Sequence, residues 1–314
     1  MEIRNIGRSG LRVSAIGLGC NNFGWRIEVE ATRKVVHRAL DLGVTLLDTA
    51  DMYGDGQSEE MLGQILGTRR KDVVLATKFA AAFTGVTGGP FASRAYIMGA
   101  IEASLTRLST DWIDLYQLHW PDPRTPMEET LRALDDLVRQ GKVRYIGISN
   151  HPAWQVADAS WLARHYGLNA FISCQDEYSL LVRGAERELI PAARAFGLGL
   201  LPYFPLASGL LTGKYKRGAA PGAETRFGSA SMGGLGSRYM TEANWPIVAK
   251  LEQFAMSRGH TMLELAFGWL LADPVVPSVI AGATTPEQIE QNVKAVGWAL
   301  TAEEKAEIDK LSAK

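Results

Sequence analysis

Asp48 and Tyr53 stand five residues apart in TLLDTADMYG (Thr45–Gly54), where an apolar, β-branched run gives way to a short polar turn. A strand that ends in a carboxylate and a phenol can carry acid-base chemistry, because α/β barrels gather reactive groups at the C-terminal ends of their strands. The plainer use of such an aspartate is to cap the turn, and this stretch alone suits both uses. Other apolar segments end in the same way. Lys78 sits in ATKF, His119 in YQLHWPD, Ser149 and Asn150 close another run, and Gln175 and Tyr203 close two more. Singly, a strand-end lysine reaches solvent and a lone histidine packs in a core. Together they bring an acid, a phenol, an amine and an imidazole to one mouth.

A free phenol titrates near pH 10, about three units too high for proton transfer at neutrality. An adjacent ammonium lowers that value, so Lys78 is expected to tune Tyr53, with Asp48 holding the amine charged and oriented. His119 would bond the substrate oxygen or feed a proton to Tyr53. Such a set suits proton transfer coupled to a step that side chains cannot perform, such as hydride transfer. The five histidines are scattered, and neither HxxxH nor CxxC occurs, so no metal constellation competes.

These groups need a scaffold that repeats. After a hairpin over Ile3–Leu18, the periodicity predicts strands at Ser14–Leu18, Thr45–Ala50, Val73–Phe79, Ile113–His119, Val143–Ser149, Ala170–Gln175, Gly199–Phe204 and Ser278–Ala281. Amphipathic helices alternate with them at Val29–Leu42, Glu59–Leu66, Ser93–Leu108, Met127–Gln140, Pro152–Tyr166, Ala185–Phe196 and Pro286–Val296. A glycine-rich interval, Pro205–Ala243, precedes helices at Ile247–Arg258 and Met262–Leu271, and a last helix spans Ala302–Leu311. Eight strand–helix units with short connections imply parallel strands and close most simply into a single-domain (β/α)8 TIM barrel, residues 1–314. A doubly wound sheet is the rival, but Gly17-Leu18-Gly19-Cys20 does not fit GxGxxG.

A formal charge of −1 leaves no electrostatic footprint for nucleic acid or an anionic membrane. No apolar run reaches membrane-spanning length, MEIRNIGRSG has no leader-like apolar region, and Cys20 and Cys174 suit buried thiols, so a cytoplasmic location is expected.

The segments IGLGCNNFGW, LLDTADMYG, ATKF, DLYQLHWPD, GKVRYIGISN, PYFPLASGLLTGKY and IAGATTPEQIEQN, in this order and spacing, resemble the aldo-keto reductases. The resemblance runs from the hairpin to the helix near Val296. It implies that Asp48, Tyr53, Lys78 and His119 form the catalytic tetrad, with Tyr53 as general acid in carbonyl reduction. It further implies that Ser149, Asn150 and Gln175 hold a nicotinamide carboxamide and that Tyr203 stacks on the ring. Leu206, Ser208 and Gly209 with Lys214 would cradle the pyrophosphate, while Gly282, Thr284, Gln288, Gln291 and Asn292 would meet the adenosine end.

One departure concerns the cofactor. Where many members carry a lysine and an arginine for the 2′-phosphate of NADPH, this chain has Gly282 and Gln288, and Val275–Val293 contains no basic residue. The branch resembling potassium-channel β-subunits shares these two residues, and there the basic groups come from the loop after strand seven, here Lys214 and Arg226. NADPH is therefore the expected cofactor and NADH the alternative. Trp25, Met52, Phe79, Trp120 and Tyr178 are expected to form an apolar substrate wall. Ala80–Pro90 and Phe227–Tyr239 would be lids, and a short C-terminus would leave the pocket open to varied carbonyl or alcohol substrates. An NAD-dependent sugar or hydroxysteroid-type dehydrogenase and a cofactor-binding regulatory subunit remain as alternatives. The chain would act as a monomer or homo-oligomer.

Overall fold

Short runs of Val, Ile and Leu bounded by glycines and polar turns become strands, and the amphipathic stretches between them become helices. The computed structural model describes the chain except residues 81–90, 221, 223, 224, 226, 229–232 and 314. An antiparallel hairpin, β1 (Ile3–Asn5) and β2 (Arg12–Ser14), precedes eight parallel strands. These are β3 (Ile16–Gly19), β4 (Leu46–Asp48), β5 (Val74–Phe79), β6 (Ile113–Leu118), β7 (Val143–Ser149), β8 (Phe171–Glu177), β9 (Gly199–Tyr203) and β10 (Val279–Gly282). They pair in the order β10-β3-β4-β5-β6-β7-β8-β9. The Leu200 amide donates to Val275 O at 2.7 Å, which draws β9 toward the entry of β10 and nearly closes a (β/α)8 barrel.

The first six crossover helices are α1 (Val29–Asp41), α2 (Gln57–Leu66), α3 (Arg94–Arg107), α4 (Met127–Arg139), α5 (Ala153–Tyr166) and α6 (Leu189–Phe196). Then follow α7 (Gly233–Tyr239), α8 (Asn244–Ser257), α9 (Met262–Leu271), α10 (Pro286–Lys294) and α11 (Ala302–Leu311). Side-chain alternation along each strand divides the core in two. Leu46, Ala76, Leu115, Leu201 and Ile280 fill the barrel interior, and Ile6, Leu11 and Val13 of the hairpin region pack against them as a floor. A larger cluster between strands and helices takes Val35 and Val36 of α1, Leu131 and Leu134 of α4, and Trp269 of α9.

The regular elements differ from the sequence expectations chiefly at their ends. The strand expected over Thr45–Ala50 spans only Leu46–Asp48, because Thr45 Oγ1 accepts the Ser14 amide at 2.9 Å and ties the entry to the hairpin. The helix expected over Ala185–Phe196 breaks into a 3-10 turn (Gly184–Glu186) and α6, with Glu188 at φ −137° between them. The interval Pro205–Ala243 contains a 3-10 segment, Ala207–Thr212, and α7, neither foreseen from its glycine-rich composition. Of the expected lids, residues 81–90 and 229–232 lie outside the described residues.

Strand register sets the site. Asp48 pairs with Gly19 and Ala76, Lys78 with Gln117, Gln117 with Gly147, and Ser149 with Gln175. Parallel pairing thus lifts the polar strand ends to one rim.

Candidate active site

Lys78 is fully buried at the inner face of β5, an arrangement that costs several kcal/mol unless the ammonium is well partnered. Its Nζ donates to Asp48 Oδ2 at 2.7 Å, to Thr49 O at 2.8 Å and to Tyr53 Oη at 3.4 Å. All three ammonium donors are accounted for. The other Asp48 oxygen accepts Gln117 Nε2 at 3.2 Å and Gln175 Nε2 at 3.1 Å. Asp48 is therefore held from three strands and in turn fixes the amine beneath the phenol.

Tyr53 reaches this point because the chain after β4 turns back on itself. The Tyr53 amide donates to Ala50 O at 3.2 Å, and Gly54, Asp55 and Gly56 all have positive φ. A Cβ on Gly54 would meet Phe23 O at 2.8 Å, so this position admits only glycine. His119 lies one residue beyond β6, with its ring edge-on to Tyr53 (centroids 6.1 Å, 82°) and its buried Nδ1 without a hydrogen-bond partner among the described residues.

Burial, reinforced by the charge of Lys78, holds the His119 imidazole well below its ordinary range, so it is neutral. Burial raises Tyr53 from 10.0 and outweighs the opposing pull of the Lys78 ammonium. Lys78 does pull the phenol down as expected, but burial was not foreseen and wins, so in the free chain the phenol keeps its proton, the state a donor needs. Burial alone would lower Lys78, but the Asp48 carboxylate and Tyr53 reverse the sign and its pKa is raised.

A cavity of about 660 Å³ opens above these groups. Asp48, Met52, Tyr53, His119 and Trp120 line one end, and Ser149, Asn150, Gln175 and Tyr203 line the wall above β7, β8 and β9. These wall residues are bonded into a belt. Tyr203 Oη donates to Asn150 Oδ1 at 2.8 Å, and Asn150 Nδ2 donates to His119 O at 2.9 Å and Ser149 Oγ at 3.0 Å. Ser149 Oγ donates to Gln175 O at 2.9 Å, and the Gln175 side chain returns to Asp48.

Leu206, Ser208, Gly209 and Lys214 line the next part of the cavity. Ala207, Ser208 and Gly209 are consecutive residues of positive φ (46°, 55° and 106°), forming a tight turn in which the Ala207 and Gly209 amides donate to Phe204 O and Leu206 O at 2.9 and 2.8 Å. A Cβ on Gly209 would sit 3.3 Å from Lys214 Nζ, so the ammonium lies directly over this turn. Gly282, Thr284, Gln288, Gln291 and Asn292 line the far end, where Thr285 caps α10 and Pro286 begins it. The residues thus suit a dinucleotide: a belt of amide and hydroxyl side chains, a tight turn with the Lys214 ammonium over it, and a helix start rich in amide side chains. Arg226 lies outside the described residues.

The expected substrate wall needs correction. Met52 and Trp120 line the cavity; Trp25, Phe79 and Tyr178 do not. Phe79 follows Lys78 and so points outward, where it stacks on Tyr116 at 4.6 Å. Tyr178 donates its hydroxyl to Glu186 at 2.9 Å and packs on Trp269, and Trp25 is turned to solvent with its Nε1 bonded to Asn21 O. Sequence reasoning also missed Gln117, Arg26 and Arg238. Gln117 carried a signal, because it shares the inward parity of His119 two residues on. Arg26 lines the cavity from a loop without periodicity, and Arg238 lines it from α7, inside the glycine-rich interval where no helix was expected, paired with Glu177.

Gly147 keeps room for Gln117: a Cβ there would meet Ser173 Oγ at 2.4 Å and Gln117 Cγ at 3.1 Å. Gly147→Ala is expected to cost roughly 1–3 kcal/mol and to push Gln117 off Asp48. Thermal melts and turnover should fall together; a variant as stable as the parent would contradict this packing.

The sequence pattern of the aldo/keto reductase family matches residues 15–313. The chain is 38% identical over 303 residues to a probable voltage-gated potassium channel subunit beta of Oryza sativa subsp. japonica, covering 94% of this chain and 91% of that protein. It is 35% identical over 321 residues to L-glyceraldehyde 3-phosphate reductase of Escherichia coli K12 (98% and 92%), and 33% identical over 330 residues to versiconal hemiacetal acetate reductase of Aspergillus parasiticus (97% and 95%). With this match running almost from end to end and the barrel carrying its polar groups on one rim, the chain belongs to the aldo/keto reductase family.

Proposed function

We propose that this protein is an NADPH-dependent reductase of aldehydes or ketones, acting in the cytoplasm with Tyr53 as the proton donor. The observation that carries this reading is the fully buried Lys78 ammonium, bonded to Asp48 and 3.4 Å from the Tyr53 hydroxyl at the base of a long cavity. The bound nicotinamide would supply the hydride to the carbonyl carbon. Ser149, Asn150 and Gln175 would orient its ring, and Tyr203, already fixed by Asn150, would back it.

The carbonyl oxygen would sit between Tyr53 Oη and the neutral His119. As negative charge develops there, Lys78 makes the phenol a better donor by stabilising the phenolate it leaves behind. The phenol's raised pKa favours the reductive direction, because the proton is in place before the hydride moves. Met52 and Trp120 would offer the carbonyl substituent an apolar face, and the relatives named as reductases fit this direction of reaction.

Lys214, with Arg226, would give NADPH its advantage over NADH. Lys214→Ala is expected to weaken NADPH binding about tenfold, equivalent to about 1.4 kcal/mol, and to affect NADH less, as read by quenching of protein fluorescence. Equal loss for both nucleotides would assign Lys214 to the pyrophosphate alone, and no loss for either would remove it from the site.

A second reading follows from the potassium-channel β-subunit relatives. In that case the barrel would bind the cofactor as a regulatory subunit and turn over slowly. Aldehyde-dependent oxidation of NADPH above background, with para-nitrobenzaldehyde as substrate, separates the two.

A further inference from the structure

Behind the tetrad, on the side of β5 and β6 that faces α2 and α3, lies a second group of ionisable residues outside the proposed chemistry. Glu59 of α2 is fully buried. Its carboxylate accepts Thr77 Oγ1 at 2.5 Å and Arg107 Nε at 2.7 Å. Arg107 also reaches the end of the Tyr53 turn, since a Cβ on Gly56 would meet its Cδ at 3.0 Å. Asp51, near the start of the same turn, is 6% exposed. Its amide donates to Lys78 O at 3.1 Å, yet its Oδ1 is buried without a hydrogen-bond partner among the described residues. The Tyr116 hydroxyl is orphaned in the same way.

Two unpartnered buried oxygens beside a carboxylate already committed to Thr77 and Arg107 define a cluster one proton short of satisfaction. A protonated Asp51 presents a donor beside the Glu59 carboxylate, which is charge-coupled to it. An ionised Asp51 presents none, and it repels Glu59. The groups facing it are Glu59 from α2, Arg107 from α3, Lys78 from β5 and Tyr116 from β6, with Tyr96 of α3 acting on Tyr116. Arg107 is engaged by Glu59, and Lys78 by Asp48.

We propose that Asp51 is a positioning residue: protonated, it pins the turn that carries Tyr53; ionised, it loosens that turn and shifts the phenol from its place over Lys78. Burial first, and Glu59 second, raise the Asp51 carboxyl from 3.8 to about 7, so the change falls at neutrality. Because the folded pKa lies above the unfolded one, Asp51 contributes stability that is complete below about pH 4 and is lost as the pH rises through about 7. On ionisation one proton leaves to solvent, the hydrogen bond it made is lost, and no other covalent bond changes.

The kinetic readout rests on the proposed reductase activity; the structural one does not. In the wild type, kcat for para-nitrobenzaldehyde should fall several-fold as the pH rises through neutrality. Asp51→Asn, which cannot ionise, should hold the acid-side kcat throughout. Amide exchange of wild-type peptides spanning Thr49–Gln57, corrected for the intrinsic pH dependence, should quicken several-fold over the same range. That measurement decides the matter if the variant fails to fold or the chain proves inactive. An Asp51→Asn profile that parallels the wild type, or corrected exchange that stays flat across neutrality, overturns the proposal.

Discussion

Lys78→Met is expected to cost the fold about 3–5 kcal/mol and to abolish measurable turnover, because it leaves the Asp48 carboxylate buried without its cation. The pair is not a surface bridge worth a few tenths: both side chains are almost inaccessible, and the ammonium spends every donor within the protein. Methionine replaces the stem but none of the three bonds. The belt through Gln117, Gln175, Ser149 and Asn150 is anchored on Asp48, so the loss should spread to the proposed cofactor wall. Urea unfolding should show the lowered midpoint, and fluorescence titration a weakened NADPH affinity. A stable, active Lys78→Met protein would mean that the buried pair is dispensable.

Tyr53→Phe carries the second large effect, and its signature is different. The phenol donates no bond that holds another element, and its ring packs edge-on to His119. Phenylalanine retains that packing, so stability and NADPH affinity should change little. Only the proposed proton donor and the long 3.4 Å bond it accepts from Lys78 disappear, and kcat is expected to fall by roughly 10²–10⁴. The separation between the two variants matters. Lys78→Met should damage fold, binding and rate together, whereas Tyr53→Phe should damage rate alone.

Much of this site was legible in the sequence because strands impose a period of two and a barrel imposes one rim. Asp48, Lys78, His119, Ser149, Gln175 and Tyr203 each fall at the end of an apolar run, and parallel pairing brings those ends level. The same period, applied one residue further, would have turned Phe79 away from the cavity, since the neighbour of an inward Lys78 must face outward. It would also have found Gln117. Tyr178 has no such rule: it lies just past β8, where the chain leaves the strand, and only the folded contact with Glu186 and Trp269 fixes it.

Arg26 and Arg238 escaped for a related reason. Arg26 lies on a loop, which carries no periodic signal, and Arg238 lies on α7, whose glycine-rich run GGLGSRY shows no amphipathic period. The raised pKa of Tyr53 was also beyond reach, because it depends on how burial balances one ammonium, and a sequence gives the ammonium but not the burial.

The central proposal is that a hydride reaches the carbonyl carbon while Tyr53 delivers the proton to the carbonyl oxygen. Single-turnover oxidation of NADPH by para-nitrobenzaldehyde, followed with C4-deuterated and ordinary NADPH in the wild type and in Tyr53→Phe, tests it most directly. Aldehyde-dependent oxidation that is slower with deuterium, and about a hundredfold or more slower again in Tyr53→Phe at saturating cofactor, is the predicted result. Equal rates for wild type and Tyr53→Phe, or no aldehyde-dependent oxidation in the wild type, would contradict it.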